Sequence, residues 1–572
     1  MKPISIFNDV LGPIMRGPSS SHTAGSFHIA RMLRDLFGGP PTRARLAFDP
    51  GGSYAQVFRE QGVDRAFAVG LLGWALTDAR FFRALDLAPS KGLDIAFDVR
   101  PLRRAEHPNT VEIDLSNGDG RRLTALARSI GGGSVEILAV DDCDVRLTGE
   151  LYEVLAEVTA AREPSPVGVP PSVESALAGD GLAAGEIGVC DRAGGALLHA
   201  RRLAPLSDDA RAVLERCGCT SVREARPIAL VKRGPALFDS AEGMLALAAL
   251  NQSRGTSGAA GSPARHPRWG ALQPGSRDQT SLGRVALAHE ASLLGMTQAE
   301  ALDEMLQRLD VMVAAVEQGL AAESEPEAGM QLLEPSARDV LDAEAARRVA
   351  IGGLHTRAAA RALAAMHVNS RMGIVCAAPT GGSSGVLPAV IVTLMEHAAE
   401  RSAPASIDPG TFGLPAEACR ERAALALFAA GAIGVVVAAR ATFAAEVAGC
   451  QVEIGAAGAM AAAAVVEFAG GTAAQAADAA AIAFQNTMGS VCDLVQGIVE
   501  IPCHTRNAAA ASSAFVCADL VMGGYRNPIP LDETVDAVYS VGRLLPPELR
   551  CTARGGLAVT PSARALRRRH GQ

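Results

Sequence analysis

The sequence predicts an α+β N-terminal domain followed by a mostly α-helical domain. Three observations carry this reading. Residues 1–150 mix helical and strand periods between Gly, Pro and Asn breaks. From Gly283 to about Glu548 the chain is Ala-rich and keeps a helical period, with few β-branched runs. The 572 residues, 49% of them apolar, suffice for about two to four domains with a large buried core.

Within residues 1–150, Ala24–Phe37 reads as an amphipathic helix after a polar loop. Arg45–Phe48, Asp94–Val99, Val111–Leu115 and Val135–Val140 read as strands. Residues 151–235 read as a small α+β module. There Glu186–Cys190 and Ala196–Arg201 flank the hairpin signal Asp191-Arg192-Ala193-Gly194-Gly195, and Ser207–Cys217 is helical in pattern. The region 236–572 opens with the helical pattern Ala236–Leu250. Residues 251–282 follow, rich in Gly, Ser, Pro and Gln, and are expected to form a mobile insert. Ala301–Gly319 and Ala343–Ala365 continue the helical period. The 17-residue uncharged run Ala423–Ala439 is short of the ~20 strongly apolar residues a membrane span needs, so a buried helix is expected. No repeat of fixed period is present.

Composition removes several classes of function. Net charge is −8, and Arg567-Arg568-Arg569 is the one block of like charge. Aromatics are 4%. Nucleic acid is therefore not an expected partner. The three lysines are Lys2, Lys91 and Lys232, so residues 233–572 contain none. No P-loop exists, and pyridoxal phosphate chemistry in the second half lacks its Schiff-base lysine. The N-terminus has no long apolar stretch, so a signal peptide is not expected. In a cytoplasmic, membrane-free setting, disulfides among the 11 cysteines are not expected either.

Four stretches carry chemistry. Gly17-Pro18-Ser19-Ser20-Ser21-His22-Thr23-Ala24-Gly25 places four hydroxyls and an imidazole just before a helix, which suits a carboxylate; a helix cap needs one Ser. His107-Pro108-Asn109-Thr110, read alone, is a strand-entry turn. The triple glycine of Ser129–Ser134 implies close backbone approach. Pro379-Thr380-Gly381-Gly382-Ser383-Ser384-Gly385 can gather backbone amides into an anion nest or act as a helix connector. Cys450, Cys492 and Cys503 are spaced by 42 and 11 residues, without a C-x-x-C pair. They read either as buried packing residues or as three thiolates that leave one position open on an iron–sulfur cluster acting as a Lewis acid. Cys143, Cys190, Cys217, Cys219, Cys376, Cys419 and Cys517 read as packing residues.

Together these stretches resemble the iron–sulfur-dependent L-serine dehydratases (L-serine ammonia-lyases). The resemblance rests on GPSSSHTAG (17–25), VGLLG (69–73), HPNT (107–110) and SIGGG (129–133) in the first half. In the second half it rests on APTGGSSGVLP (378–388), GCQVEIG (449–455), Cys492-Asp493, PCHTRN (502–507) and GGLAVTP (555–561). It implies a beta-type domain and a helical catalytic alpha-type domain fused in one chain, with residues 151–235 where some members carry an ACT-like regulatory module. It implies that Cys450, Cys492 and Cys503 hold a [4Fe-4S] cluster and that no pyridoxal phosphate is used. It also implies L-serine catabolism to pyruvate and ammonia by β-elimination, in a cytoplasmic homodimer. Ser383 and Ser384 would hold the substrate carboxylate. Ser20, Ser21, His22, Thr23, His107 and Asn109 would line a serine site between domains, either catalytic or allosteric, with His22 and His107 as the candidate bases.

Several positions depart from the family pattern. Gln61 stands where members commonly have His, in Glu60-Gln61-Gly62-Val63-Asp64. Glu334-Pro335-Ser336-Ala337-Arg338 replaces a Gly-rich stretch, Gly458 stands for a Cys, and Leu494 follows Cys492-Asp493 where Pro is usual. Cys551 lies in the tail segment before Gly555-Gly556; the resemblance allows a tail Cys on the open iron, although Cys551 is not at the terminus. These departures leave rivals open: a lyase of the same mechanism on another β-substituted amino acid such as threonine or cysteine, a serine-binding protein without turnover, or a zinc protein.

Overall fold

The computed structural model describes residues 3–159, 182–192, 195–255, 281–321, 329–402 and 417–569, with isolated positions at 173, 176 and 177. Strands run in chain order as β1 (Ile14–Arg16), β2 (Arg43–Phe48), β3 (Asp94–Val99), β4 (Thr110–Ser116), β5 (Arg122–Gly131) and β6 (Ser134–Val140). They continue as β7 (Cys143–Leu147), β8 (Tyr152–Thr159), β9 (Leu182–Arg192), β10 (Gly195–Arg202), β11 (Cys219–Ala225) and β12 (Ile374–Cys376). The chain forms two compact units: residues 18–233, and residues 1–17 together with 234–572.

The first unit holds two sheets. Six strands pair in the order β3-β2-β4-β5-β6-β7, antiparallel except for β2 with β3. Alternation sets its buried face: Val111, Ile113 and Leu115 of β4 oppose Ala127, Ala125 and Leu123 of β5. Against that face lie α1 (Gly25–Phe37) and α2 (Val63–Leu72), α1 through Ile29, Met32, Leu33, Leu36 and Phe37. The sequence reading missed β5: Ser129 and Ile130 end a strand, and the triple glycine is the turn into β6.

The second sheet has the order β11-β8-β10-β9, all antiparallel. Residues 173, 176 and 177 are helical between β8 and β9, and α3 (Asp208–Arg216) lies between β10 and β11. This is the split β-α-β arrangement. The hairpin expected at 191–195 joins β9 to β10, with Arg192 opposite Gly195.

Cys143 on β7 and Cys190 on β9 form a disulfide, with Cα atoms 5.8 Å apart. This corrects the expectation that both are packing residues. The 47-residue separation conceals that the edges of the two sheets meet there.

The second unit is helical. Its long elements are α4 (Ala241–Gly255), α5 (Leu282–Leu294), α6 (Gln298–Leu320), α7 (Ala337–Ala345), α8 (Leu354–Ser370), α9 (Val386–Ser402), α10 (Glu417–Arg440), α11 (Ile454–Phe468), α12 (Ala473–Asn486), α13 (Cys503–Met522) and α14 (Leu531–Leu544). At its centre α11 packs against α9, α10, α12 and α13. Every residue of α11 except Glu467 is buried, and their small size lets the helices approach closely. Two stretches, Glu417–Arg440 and Cys450–Phe468, are long and apolar enough to cross a membrane, yet 78% and 94% of those windows are buried within the fold. The buried helix expected at 423–439 is thus the middle of α10.

Three boundaries differ from expectation. Residues 1–17 join the helical unit rather than the 1–150 domain. Buried Glu290 of α5 accepts hydrogen bonds from Ser5 Oγ (2.6 Å), Ile6 N (2.7 Å) and Phe7 N (3.0 Å). Arg308 of α6 donates to Leu11 O at 2.7 Å, and β1 pairs with β12. On α10 a Cβ at Gly434 would sit 2.1 Å from Val10 Cγ1, so the segment requires glycine beneath it. The helix expected over Ala343–Ala365 is broken into α7 and α8, because Gly352 and Gly353 adopt φ of 80° and 101°. Of the expected insert, residues 251–255 finish α4, Ser281 caps α5 and Leu282 begins it; residues 256–280 lie outside the described residues.

Candidate functional site

In the helical unit, four chain segments bring cysteines together. Cys450 starts a single turn between Gly449 and α11. Gly449 has φ 78°, and a Cβ there would meet Ser490 O at 2.7 Å, so the turn lies directly on the approach to Cys492. Gln451 clamps the two: its Nε2 donates to Ala448 O (2.8 Å) and its Oε1 accepts from Gly489 N (2.9 Å). Cys492 in turn takes its place from the C-terminal segment. Its amide donates to Leu549 O, and the Cys551 amide donates to Cys492 O, both at 2.9 Å. Cys503 opens α13, and Asn507 one turn later donates to both Cys503 O and Gly382 O at 2.9 Å. That side chain ties the 379–385 loop to the cysteine helix.

The sulfurs of Cys450 and Cys492 and a carboxylate oxygen of Glu453 all lie within 4.8 Å of one another. Cys450, Cys492 and Cys503 are buried, 1%, 1% and 3% exposed. Hydrogen bonds to Cys450 and Cys551, and then burial, hold the Cys492 thiol well above its usual range. Burial first, then the neighbouring Cys450 and Glu453, does the same to Cys503.

The sequence reading gave Glu453 no role, and it named Cys551 only as a tail cysteine that could reach the open iron. Glu453, inside GCQVEIG, is pushed up to about 7 by burial, against a hydrogen bond from Thr380 Oγ1. Cys551 hydrogen-bonds Cys492 and holds a φ of 63°, which non-glycine residues rarely adopt. Its signal was its place beside Gly555-Gly556, but only the fold reveals that the tail runs past Cys492.

Ser383 and Ser384 sit in the 379–385 loop, buried at 0% and 1%. Ser383 Oγ bonds Ala378 O at 3.1 Å and receives Thr380 N at 3.2 Å; Ser384 Oγ donates to Gly381 O at 2.8 Å. Both hydroxyls are thus engaged within the loop itself. Asp493 accepts from Leu557 N at 2.8 Å and pairs with Arg506 at 2.9 Å, anchoring the GGLAVTP segment.

The first unit gathers the other predicted residues. Ser20–Ala24 form a helical turn running directly into α1, so the stretch is not a loop with free helix amides: Thr23 N donates to Ser19 O at 2.8 Å. His22 Nδ1 meets Ser19 Oγ (3.0 Å) and Ser21 Oγ (3.1 Å), and its Nε2 meets Ser53 Oγ (2.9 Å). Burial, and then His107, pull His22 down to about 3, so its imidazole is neutral at physiological pH. His107 is half-buried and also lowered, by burial and then by Arg128. Its Nδ1 accepts from Asn109 N at 3.1 Å. Ser20 is buried, and Thr23 Oγ1 donates to Gln61 O at 2.9 Å. Asn109 Oδ1 is buried without a hydrogen-bond partner among the described residues, as expected of a group that awaits a polar ligand.

Residues 244–558 match the family model described as serine dehydratase alpha chain. The probable L-serine dehydratase alpha chain of Bacillus subtilis (strain 168) is 38% identical over 294 residues, covering 51% of this chain and 90% of that protein. The probable beta chain of the same organism is 43% identical over 156 residues, 27% of this chain and 68% of that protein. L-serine dehydratase TdcG of Escherichia coli (strain K12) is 38% identical over 200 residues, 35% of this chain and 40% of that protein. The chain belongs to the serine dehydratase alpha-chain family and is a lyase. It joins in one polypeptide the regions that resemble separate alpha and beta chains.

Proposed function

We propose that this lyase is an L-serine ammonia-lyase that converts L-serine to pyruvate and ammonia with a [4Fe-4S] cluster on Cys450, Cys492 and Cys503. The observation that carries the reading is the convergence of buried Cys450 and Cys492 with half-buried Glu453 within 4.8 Å, in the half that matches the family. The donor set is sulfur-rich, and soft thiolates suit iron–sulfur chemistry. Held by these residues, such a cluster would supply a Lewis-acidic iron to polarise the substrate C–O bond.

This chain's residues supply the rest. Asn507 and Gln451 fix the turns that carry Cys503 and Cys450. Burial at Cys450, Cys492 and Cys503 excludes water from the sulfurs. In the first unit, Ser20, Ser21, Thr23 and Asn109 line a serine site, catalytic or allosteric, beside two imidazoles lowered by burial. His22 is engaged at both nitrogens and lowered to about 3, so it serves as a positioning group. Of the two imidazoles, His107 is the less buried and the better proton acceptor within that unit. Loss of the α-proton and of hydroxide from L-serine gives aminoacrylate, which tautomerises and hydrolyses to pyruvate and ammonia.

Anaerobic purification tests the reading through iron and inorganic sulfide content and 2-oxo acid release from a panel of amino acids. Iron with sulfide and pyruvate from L-serine is the expected result. Zinc without sulfide overturns the cofactor, and turnover of another β-substituted amino acid with L-serine inert overturns the substrate.

A further inference from the structure

A lyase for amino acids must hold an α-carboxylate, and both loop hydroxyls first assigned to that task are already bonded inside their own loop. The cation beside the sulfurs is Arg506, on the first turn of α13, three residues after Cys503 and so on the same helix face. One nitrogen, Nη1, donates to Val491 O at 2.7 Å and to Cys450 Sγ at 3.8 Å and lies 2.9 Å from Asp493 Oδ1 in an ion pair. Asp493 is itself pinned by Leu557 N, so the guanidinium plane is held from behind. Its other edge, Nε and Nη2, carries no hydrogen bond among the described residues. The side chain is 28% exposed, whereas the cysteines beside it are buried. The arrangement is an oriented fork with one edge spent on the protein and the other open at the rim of the cysteine centre. No lysine exists in residues 233–572 to share the task.

We propose that Arg506 is the carboxylate-binding residue of the substrate site, its Nε–Nη2 edge taking both oxygens of the α-carboxylate. Paired N–H donors at fixed spacing match a carboxylate, and no lysine reproduces that geometry. The proposal rests on the amino-acid lyase reading above.

The test pairs a change in the protein with a change in the substrate. Holoenzyme carrying Arg506→Gln or Arg506→Lys is compared with the unsubstituted protein on L-serine and on L-serinamide, which lacks the anionic carboxylate. L-serinamide is followed by turnover or by its Ki against L-serine. Iron, sulfide and the visible absorption spectrum are measured on each protein. Arg506→Gln is expected to raise KM for L-serine roughly 100-fold, the scale of a charge-assisted bidentate contact, and Arg506→Lys roughly 10-fold. L-serinamide should change less than about twofold, and the spectrum should stay. Equal losses on both compounds, or loss of the spectrum, overturn the proposal, since Arg506 would then serve the sulfurs. Equal affinity of the unsubstituted protein for both compounds overturns it as well. If the unsubstituted protein turns over no L-serine, the lyase reading itself fails and this proposal with it.

Discussion

Glu290→Ala probes why the first 17 residues belong to the helical unit. The carboxylate receives three donors, Ser5 Oγ, Ile6 N and Phe7 N, in a site with no exposed surface. Each bond to a charged acceptor contributes ~1.5–3 kcal/mol. Against that stands the cost of burying the carboxylate, visible in a pKa raised by desolvation. Alanine removes the acceptor and leaves three donors buried or partly rehydrated, so a net loss of about 2–4 kcal/mol is expected. The loss should be local. Exchange protection of the Ile6–Val10 amides should fall by about 30- to 1000-fold, since ~1.4 kcal/mol corresponds to tenfold. Glu290→Gln keeps one acceptor oxygen and should lose about half as much. Hydrogen exchange read by mass spectrometry on the N-terminal peptide is the assay. Unchanged protection in the Ala variant would refute the reasoning and assign the segment's attachment to Arg308 and apolar contacts instead.

Further outcomes follow from the same structure. Cys503→Ser should abolish iron binding and the visible chromophore, and retention of both in an anaerobic metal assay would remove Cys503 from the ligand set. Acid should destabilise the fold. His22 and His28 are lowered to about 3 and about 4, both chiefly by burial. Below the unfolded value near 6.5 the unfolded chain takes up protons that the folded chain refuses. Stability present above pH 6.5 is therefore lost as pH falls toward those values, by up to ~1.4 kcal/mol per pH unit per histidine. Urea midpoints from pH 7 to pH 5 should decline, and His28→Gln should flatten the slope; a flat profile in the parent protein contradicts the burial argument. Oxidised protein should yield a Cys143–Cys190 cross-linked peptide that Cys190→Ser lacks, and equal peptide maps with and without reductant would exclude the bond.

The elements that sequence made legible are those whose signal is local. Ile29, Met32, Leu33 and Leu36 repeat with a helical period, and Val111, Ile113 and Leu115 alternate, so α1 and β4 could be read directly. The split of α7 from α8 was local too, but Ala-rich periodicity outweighed Gly352-Gly353 in the reading. What escaped was long-range. Nothing in the sequence around Ser5 and Glu290 announces that they meet across 285 residues, or that Cys143 faces Cys190 across two sheet edges. The site divides along the same line. Cys450, Cys492 and Cys503 were nominated together because a family pattern stores long-range proximity as motif order. Glu453 sat inside a quoted motif without a role, because a carboxylate's burial beside sulfur is a property of packing. Arg506 was equally visible in Pro502–Asn507, yet what distinguishes it is that one edge of its guanidinium is committed to Asp493, Val491 and Cys450 while the other is open. Residue type and spacing can nominate a ligand or a base. Which donors are already spent, as at Ser383 and Ser384, and which are left for a substrate, is decided by hydrogen-bond partners that only the folded chain supplies.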